Sequence, residues 1–544
     1  MLTLYIFILM FTNALNSILP PALQETKINS IFINRITILT LLISILLNFN
    51  ILYFNTIGKG IGIFSGLFQI TWTASLIELL LLIVCIFILL SWPYVQNLNN
   101  LKSSSLSITN SDHYSLIALF SILGGSLLMS SLDLLSMYLS IELQSFALYI
   151  LATLDKNRLS SAESGLKYFL LGSLSSTFIL LGAAIVYTFT GLTQFESLNA
   201  LISVPLINID NNITQAFIFG IVLILVGFFF KISAAPFHQW APDVYDGTPT
   251  IVTVWLTIIA KLTIFVFLLG LLDFSFISSL TNYDFSSLLE SSINLYNSNF
   301  IIKNLLLLGS LLSLIVGTIA GLSQIKIKRL LALSSVSHVG FLLLALGIFS
   351  QKSLDSFIFY LIQYSITSLN IFLILLAFGY VINNITRSQD NWNVNLDLNY
   401  LVELKGLINS NRILSISLAI CLFSMAGIPP LVGFFSKQFV LFSSIESGAN
   451  FISIVAILVS VISASYYLKL IRLTFFSTPE NKEIILNENI NENNSTNSCF
   501  QAVQLSSIQS YLISVLTLMI FFFFLNPSLL LNGTQLVSLI YFNF

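Results

Sequence analysis

Apolar residues run through this chain in long blocks, with polar residues gathered between them. Within a block there is no two-residue alternation of the kind a half-buried strand shows; residues 79–90, LLLLIVCIFILL, are apolar throughout. A hydrocarbon core about 30 Å thick needs roughly 20 apolar residues per helical crossing. On that ruler the blocks predict fourteen spans: 2–19, 33–54, 73–94, 114–131, 133–153, 163–188, 213–246, 248–271, 301–323, 328–350, 353–382, 412–445, 449–476 and 508–531. A transmembrane barrel would need alternating lipid-facing and lumen-facing positions. The pattern therefore predicts an all-α polytopic membrane protein.

The seventh and twelfth spans are too long for one crossing, and prolines interrupt both: Pro236 and Pro242 in one, Pro429 and Pro430 in the other. Discontinuous helices are the expectation, because proline removes a helical hydrogen bond and crowds the preceding turn. Paired broken segments at matching positions of two halves point to a transporter's ion site. Spans four to eight and nine to thirteen then correspond, and an odd number of helices per unit turns the second unit over. The predicted organisation is a three-helix segment (1–112), a first repeat (113–272), an inverted five-helix repeat (273–477), and a polar loop with a fourteenth helix (478–544). The strings VGFFFK (226–231) and VGFFSK (432–437) add weak support for a repeat. Residues 383–411 read as a polar connector and 478–501 as a low-complexity polar loop.

Composition sharpens the class. Of 544 residues, 56% are hydrophobic and 8% charged, with 47 Phe and a mean hydropathy of +0.94; soluble chains carry about 25% charged residues. A net charge of -2 offers no field for nucleic acid. Cys85, Cys421 and Cys499 lack the spacing of a zinc or iron-sulfur site. The first 20 residues have neither a basic start nor a small-residue cleavage site, so they read as a retained span.

Basic residues in short loops stay on the side of synthesis. Loops after odd-numbered spans hold Lys27, Lys102, Lys156, Arg158, Lys326, Lys328, Arg329, Arg387, Lys405, Lys469, Arg472 and Lys482, against Lys59, Lys303 and Lys352 on the other side. Both termini are predicted to face away from the cytoplasm or matrix.

Glu78, Glu142, Lys167, Lys231, Lys261 and Lys437 fall inside spans. A charge at the bilayer centre costs roughly 2.5–3.5 kcal/mol on insertion scales, so such residues are functional candidates by default. Glu142 lies nine residues past Asp133, about 14 Å along its span; the alternative is a residue that holds two helices together. Lys231 precedes the break of the seventh span, where freed carbonyls could receive it, and Lys437 follows the break of the twelfth as its mirror. Lys261 is isolated mid-span, while Lys167 and Glu78 lie near helix starts, where snorkelling or a structural role competes. His338 is mid-span and can both donate and accept a proton; His238 lies inside the seventh-span break, and His113 at a loop edge.

Several buried lysines set against one glutamate read as a proton wire. A Glu142–Lys231 pair at about 4 Å would contribute on the order of 4 kcal/mol at an effective dielectric of about 20. Opening it would change the lysine's hold on its proton enough to act as a switch.

At these residues the sequence resembles a known family, the antiporter-like membrane subunits of respiratory complex I, related to Mrp-type cation/proton antiporters. The resemblance rests on GFFFKISAAPFHQWAPDVYDGTPT (227–250), KRLLALSSVSHVGF (328–341), GIPPLVGFFSK (427–437) and SIELQSFALYIL (140–151), within roughly residues 113–476. Lysine at 437, where one branch of the family has glutamate, and the absence of a long lateral helix narrow the branch. The resemblance implies that Glu142 and Lys231 form the coupling pair of a first half-channel, Lys261 and His338 a central relay, and Lys437 the terminal site of a second. Lys167 matches a family lysine, and His238 is similarly placed. It further implies that this chain binds no cofactor, that NADH, FMN, iron-sulfur clusters and ubiquinone belong to partner subunits, and that neighbouring antiporter-like chains and lipid surround it. The implied compartment is the mitochondrial inner membrane.

Three readings stand at this point: a proton-conducting subunit without a redox centre of its own in a NADH:ubiquinone oxidoreductase, an autonomous Na+ or K+/H+ antiporter, and a membrane scaffold. The same relay residues serve the first two. A scaffold predicts that neutralising Lys231 affects assembly and not pumping.

Overall fold

The computed structural model describes residues 2–18, 30–53, 60–91, 113–155, 158–203, 211–274, 293–386, 397–409, 411–476 and 507–543. The expected polar loop 478–501 lies outside these residues, as does most of the connector's first half.

The apolar blocks form helices α1 (Leu2–Ile18), α2 (Ser30–Leu52), α3 (Trp72–Leu90), α4 (Tyr114–Ser130), α5 (Leu134–Ala152) and α6 (Leu159–Thr190). Polar residues set where they begin. Thr71 Oγ1 accepts the Ala74 N–H at 3.2 Å to open α3, and Asp133 accepts from Leu135 N–H at 3.4 Å to open α5. A short helix α7 (Phe195–Ser203) precedes the first broken span, which is α8 (Asn211–Ile232) followed by α9 (Trp240–Gly247). The next crossing is composite: α10 (Thr250–Val254), a π-helical turn (Trp255–Ile259) and α11 (Ala260–Phe274).

Then come α12 (Ile293–Leu322), α13 (Ile327–Ile348) and α14 (Gln351–Thr386). The second broken span is α15 (Arg412–Ala426) and α16 (Val432–Glu446), and α17 (Asn450–Phe476), α18 (Ser507–Phe522) and α19 (Ser528–Asn543) complete the order. Both spans predicted to be discontinuous are interrupted, the first at Pro236 and the second at Pro429 and Pro430, while Pro242 lies in the first turn of α9. Among the described residues, eleven helices are long and apolar enough to cross a membrane, and shorter apolar helices include Leu2–Thr12, Tyr114–Ser130, Arg412–Ala426 and Ser528–Phe542. The chain is a multi-pass membrane protein.

Three features depart from the expected pattern. Residues 60–70 form a small antiparallel hairpin, β1 (Ile61–Ile63) with β2 (Phe68–Ile70), turned by Phe64, Ser65 and Gly66 at positive φ. The short helix α7 falls between spans. The block 508–531 is two helices, since Pro527 has no N–H to donate and disfavours helical geometry at Asn526.

The α10–α11 crossing and α13 are sheathed by protein along their whole length, whereas α6, α12 and α17 turn much of their surface outward. The interior therefore centres on the helices carrying Lys261 and His338. Lys326, Lys328 and Arg329 open α13 at one end of the molecule, and Lys352 follows its other end.

Candidate functional site

The buried lysines of the candidate relay lie beside interruptions of their helices, His338 lies mid-helix, and each bonds to a hydroxyl or a backbone carbonyl. In the first half, α5 places Glu142 and Tyr149 two turns apart on one side. Lys231, in the last turn of α8 and 8% exposed, donates from Nζ to the Tyr149 hydroxyl at 3.1 Å. Its ammonium lies 5.5 Å from the centre of that ring. Glu142 is half-buried and leaves Oε1 inside the protein without a hydrogen-bond partner.

The expected direct Glu142–Lys231 ion pair is therefore not made; a neutral phenol stands in the lysine's reach. Nor do the carbonyls at the break receive Lys231. Trp240 Nε1 takes the Phe230 carbonyl at 2.8 Å, and the Ser233 N–H shares it at 3.2 Å.

Lys261 is the second residue past the π-helical turn and is 2% exposed. Its Nζ donates to Ser335 Oγ of α13 at 2.8 Å and lies 5.9 Å from the Tyr245 ring centre. Widening the helix to a π turn releases a backbone carbonyl from the regular ladder, and the Tyr364 hydroxyl donates to Thr257 O there at 3.3 Å. Beside this point is a cavity of about 10 Å³ lined by Thr257, Ser334, Ser335, Tyr364, Ser368 and Met425 among others. It is close to the size of a single water site.

His338, buried in α13, meets a hydroxyl at each ring nitrogen: Tyr360 at 2.6 Å from Nδ1 and Tyr467 at 3.3 Å from Nε2. A neutral imidazole donates through one nitrogen and accepts through the other, so the ring can pass a proton from one tyrosine to the other by changing tautomer. Lys437, near the start of α16, donates to the carbonyls of Met425 and Ala426 at 2.9 Å each. Those are the carbonyls left without helical partners where α15 stops. Its ammonium is 5.8 Å from the Phe341 ring centre, and Phe341 stacks on Tyr360, the partner of His338. Met425 thus borders both the cavity beside Lys261 and the seat of Lys437.

The remaining candidates lie apart from this line. The Lys167 side chain is 42% exposed and pairs with Glu163 at 2.8 Å and Asp243 at 3.3 Å. It reaches the polar end of its helix, as the snorkelling alternative expects. His238 is half-buried in the break between α8 and α9, with Nδ1 unpartnered. Glu78 is half-buried on α3.

One residue moves the other way. Lys328, counted among loop cations from the sequence, is 2% exposed and donates to Thr248 O at 2.7 Å and Asp397 Oδ2 at 3.2 Å. The short connector before α15 carries Asp397 back onto the start of α13, which excludes water from both groups. Burial alone would raise the Asp397 carboxyl, but the charges of Lys328 and Arg158 outweigh it and bring it down to about 2. Tyr149, Tyr360, Tyr364, Tyr467 and Ser335 are likewise absent from a reading based on charge. A signal for the tyrosines exists, since a phenol deep in a span needs a polar partner, but it does not say which one.

A family described as "NADH:quinone oxidoreductase/Mrp antiporter, TM" matches residues 131–463. The chain belongs to this family. The matched stretch contains Glu142, Lys167, Lys231, His238, Lys261, His338 and Lys437. NADH-ubiquinone oxidoreductase chain 2 of Rhizopus oryzae is 46% identical over 546 residues, covering 96% of this chain and 98% of the relative. NADH-quinone oxidoreductase subunit N of Pelagibacter ubique is 35% identical over 83% of this chain and 84% of its own length. A chain of respiratory complex I from Thermus thermophilus superposes over 97% of this chain and 98% of its own length with a TM-score of 0.66 and 25% identity. The resemblance seen in the sequence motifs is that of this family.

Proposed function

We propose that the chain is a proton-translocating membrane subunit of a NADH:ubiquinone oxidoreductase, moving protons through a Glu/Lys/His relay while electrons pass from NADH to ubiquinone in other subunits. The observation that carries this is the buried series Lys231, Lys261, His338 and Lys437, each bonded to a hydroxyl or a freed carbonyl and none to a carboxylate. An ammonium held by neutral groups can give up its proton without leaving a buried carboxylate uncompensated, which a permanent ion pair does not allow. Glu142, with an unpartnered oxygen on the helix that supplies Tyr149, is the group whose approach to Lys231 would load that lysine. Lys261 passes charge to His338 and Lys437 through Ser335, Tyr364 and the small cavity. His238 borders the first break, and Lys167 tunes its polar rim.

The architecture in this proposal is fourteen crossings with two inverted five-helix repeats at 113–272 and 273–477, each holding one broken span. The three-helix segment 1–112 flanks them on one side and 478–544 on the other. The membrane is the mitochondrial inner membrane, with both termini on the intermembrane-space side, as the basic cluster at one end of α13 favours. Partners are the other membrane subunits of complex I, including neighbouring antiporter-like chains, and the NADH, FMN, iron-sulfur and ubiquinone chemistry is theirs.

The deciding experiment is Lys261→Ala in the assembled complex, reconstituted into vesicles. NADH oxidation is expected to persist while protons moved per NADH fall; full pumping would remove Lys261 from the relay. A native gel of source membranes separates this reading from an autonomous Na+ or K+/H+ antiporter. Co-migration with an NADH-oxidising band supports the first, and migration away from it the second.

A further inference from the structure

We propose that the buried Lys328–Asp397 pair is the basic-side mouth of a proton path to Lys261, shut in this conformation. The proposal rests on the relay reading above and adds where that relay takes up protons. The pair is built from four elements. Lys328 opens α13, Asp397 comes from the connector, and Asp397 Oδ1 accepts from the Thr250 hydroxyl at 2.8 Å and the Thr250 N–H at 3.4 Å at the start of α10. Oδ2 takes Arg158 Nη1 at 2.8 Å, and the Arg158 side chain, 20% exposed, carries the cluster to the surface.

Inward from this pair, two rows of residues run from the shared Asp397 to a shared cavity. Thr250, Thr253 and Thr257 step along α10 and the π turn at helical spacing, and Lys328, Leu331 and Ser335 step along α13 in the same way; all six are buried. Thr257, Leu331 and Ser335 meet at the cavity beside Tyr364, and Ser335 holds Lys261. Seven residues of helix separate the mouth from the cavity on each row, about 10 Å, a gap in which Thr253 supplies a hydroxyl and which the proposed path would cross with the help of water.

A structural clasp does not require this lysine to be interior. Lys326 and Arg329, at the same helix start, already tie α13 to Asp243 and Asp246 of α9 through exposed and half-exposed pairs. Sealing an ammonium from water costs several kcal/mol, which the bonds to Asp397 and Thr248 O offset, and the exposed pairs beside it show that holding this helix start does not need that burial. In the step proposed, Lys328 passes one N–H proton inward along the hydroxyls to neutral Lys261 while Arg158 stays on Asp397 and keeps its carboxylate compensated, which a lone ion pair would not allow. Lys328 is then reprotonated from basic-side water when the Asp397–Arg158 pair swings aside. One proton moves, and Asp397 stays a carboxylate.

The test is Lys328→Arg in the intact complex in vesicles, beside Lys261→Ala. Arginine keeps the charge and can keep the clasp, but a guanidinium does not release its proton in proteins. NADH oxidation should continue, with protons per NADH reduced by the same share as in Lys261→Ala. Pumping at the parent ratio in Lys328→Arg, with Lys261→Ala impaired, would overturn the mouth and leave the relay standing. An unimpaired Lys261→Ala would bring down the relay reading and the mouth with it. If Lys328→Arg does not assemble, Thr253→Val decides. The Thr253 hydroxyl bonds only to Thr250 O of its own helix, so valine keeps the shape and removes the hydroxyl midway. A several-fold drop in proton flux supports the path, and an unchanged flux refutes it.

Discussion

Lys231 and Tyr149 show how a single phenol sets what a buried lysine can do. A hydrogen bond to a charged group contributes about 1.5–3 kcal/mol, and here the acceptor is a neutral hydroxyl, so the amine has no counter-charge within bonding distance. Tyr149→Phe should lower the thermal midpoint of the complex by an amount in keeping with that range and impair pumping more than NADH oxidation. Gly172 supplies an independent check, because a methyl group there would run into the Tyr149 hydroxyl. Gly172→Ala should displace the phenol and reduce pumping in the same direction; parent pumping in both variants would mean that the hydroxyl is incidental. Lys231 is legible in the sequence because a charge in an apolar run is costly wherever it goes. Tyr149 is not, since aromatic residues are common throughout these spans.

The two broken spans look alike in sequence and differ in how their ends are satisfied. In the second, Gly427 adopts φ +86 and ends α15, and Lys437 from α16 fills the freed carbonyls. In the first, an indole does that work and the lysine is released to another helix. The two lysines thus both lie beside a break and are bonded differently. The second break also depends on close backbone approach, as a Cβ on Gly433 would collide with the Ser424 carbonyl oxygen. Gly433→Ala should force α15 and α16 apart, unseat Lys437 and lower the amount of assembled complex on a native gel. Normal assembly and pumping would show that the two half-helices adjust without cost to Lys437.

Across the molecule, one end is held by an ion-pair network of Arg158, Lys167, Lys326, Lys328 and Arg329 with Asp155, Glu163, Asp243, Asp246 and Asp397. It joins α6, α9 and α13 with the connector, and so spans both proposed repeats. The exposed members contribute little each; the buried centre is Asp397. Its carboxyl is lowered from 3.8 to about 2, so the stability it adds is complete above its unfolded value and is lost as pH falls through the folded one. Between pH 5 and 8 the difference in thermal midpoint between the parent complex and Asp397→Asn should therefore stay constant. A difference that shrinks within that interval would show that Lys328 and Arg158 do not hold the carboxylate as the structure places them.

Hydrophobic run length settled the membrane class, the helical blocks and the two interruptions, because lipid forces every backbone group to bond within its own segment. Charge isolation likewise marked Glu142, Lys231, Lys261, His338 and Lys437, since an ionisable group inside a span has few neutral explanations. Folding decided the partners. Tyr149 in place of Glu142, Ser335 for Lys261, two tyrosines for His338 and the burial of Lys328 by Asp397 all join residues far apart in the chain. A linear pattern records how much each residue costs to bury, while the group that offsets that cost lies on another helix and is fixed only when the helices come together.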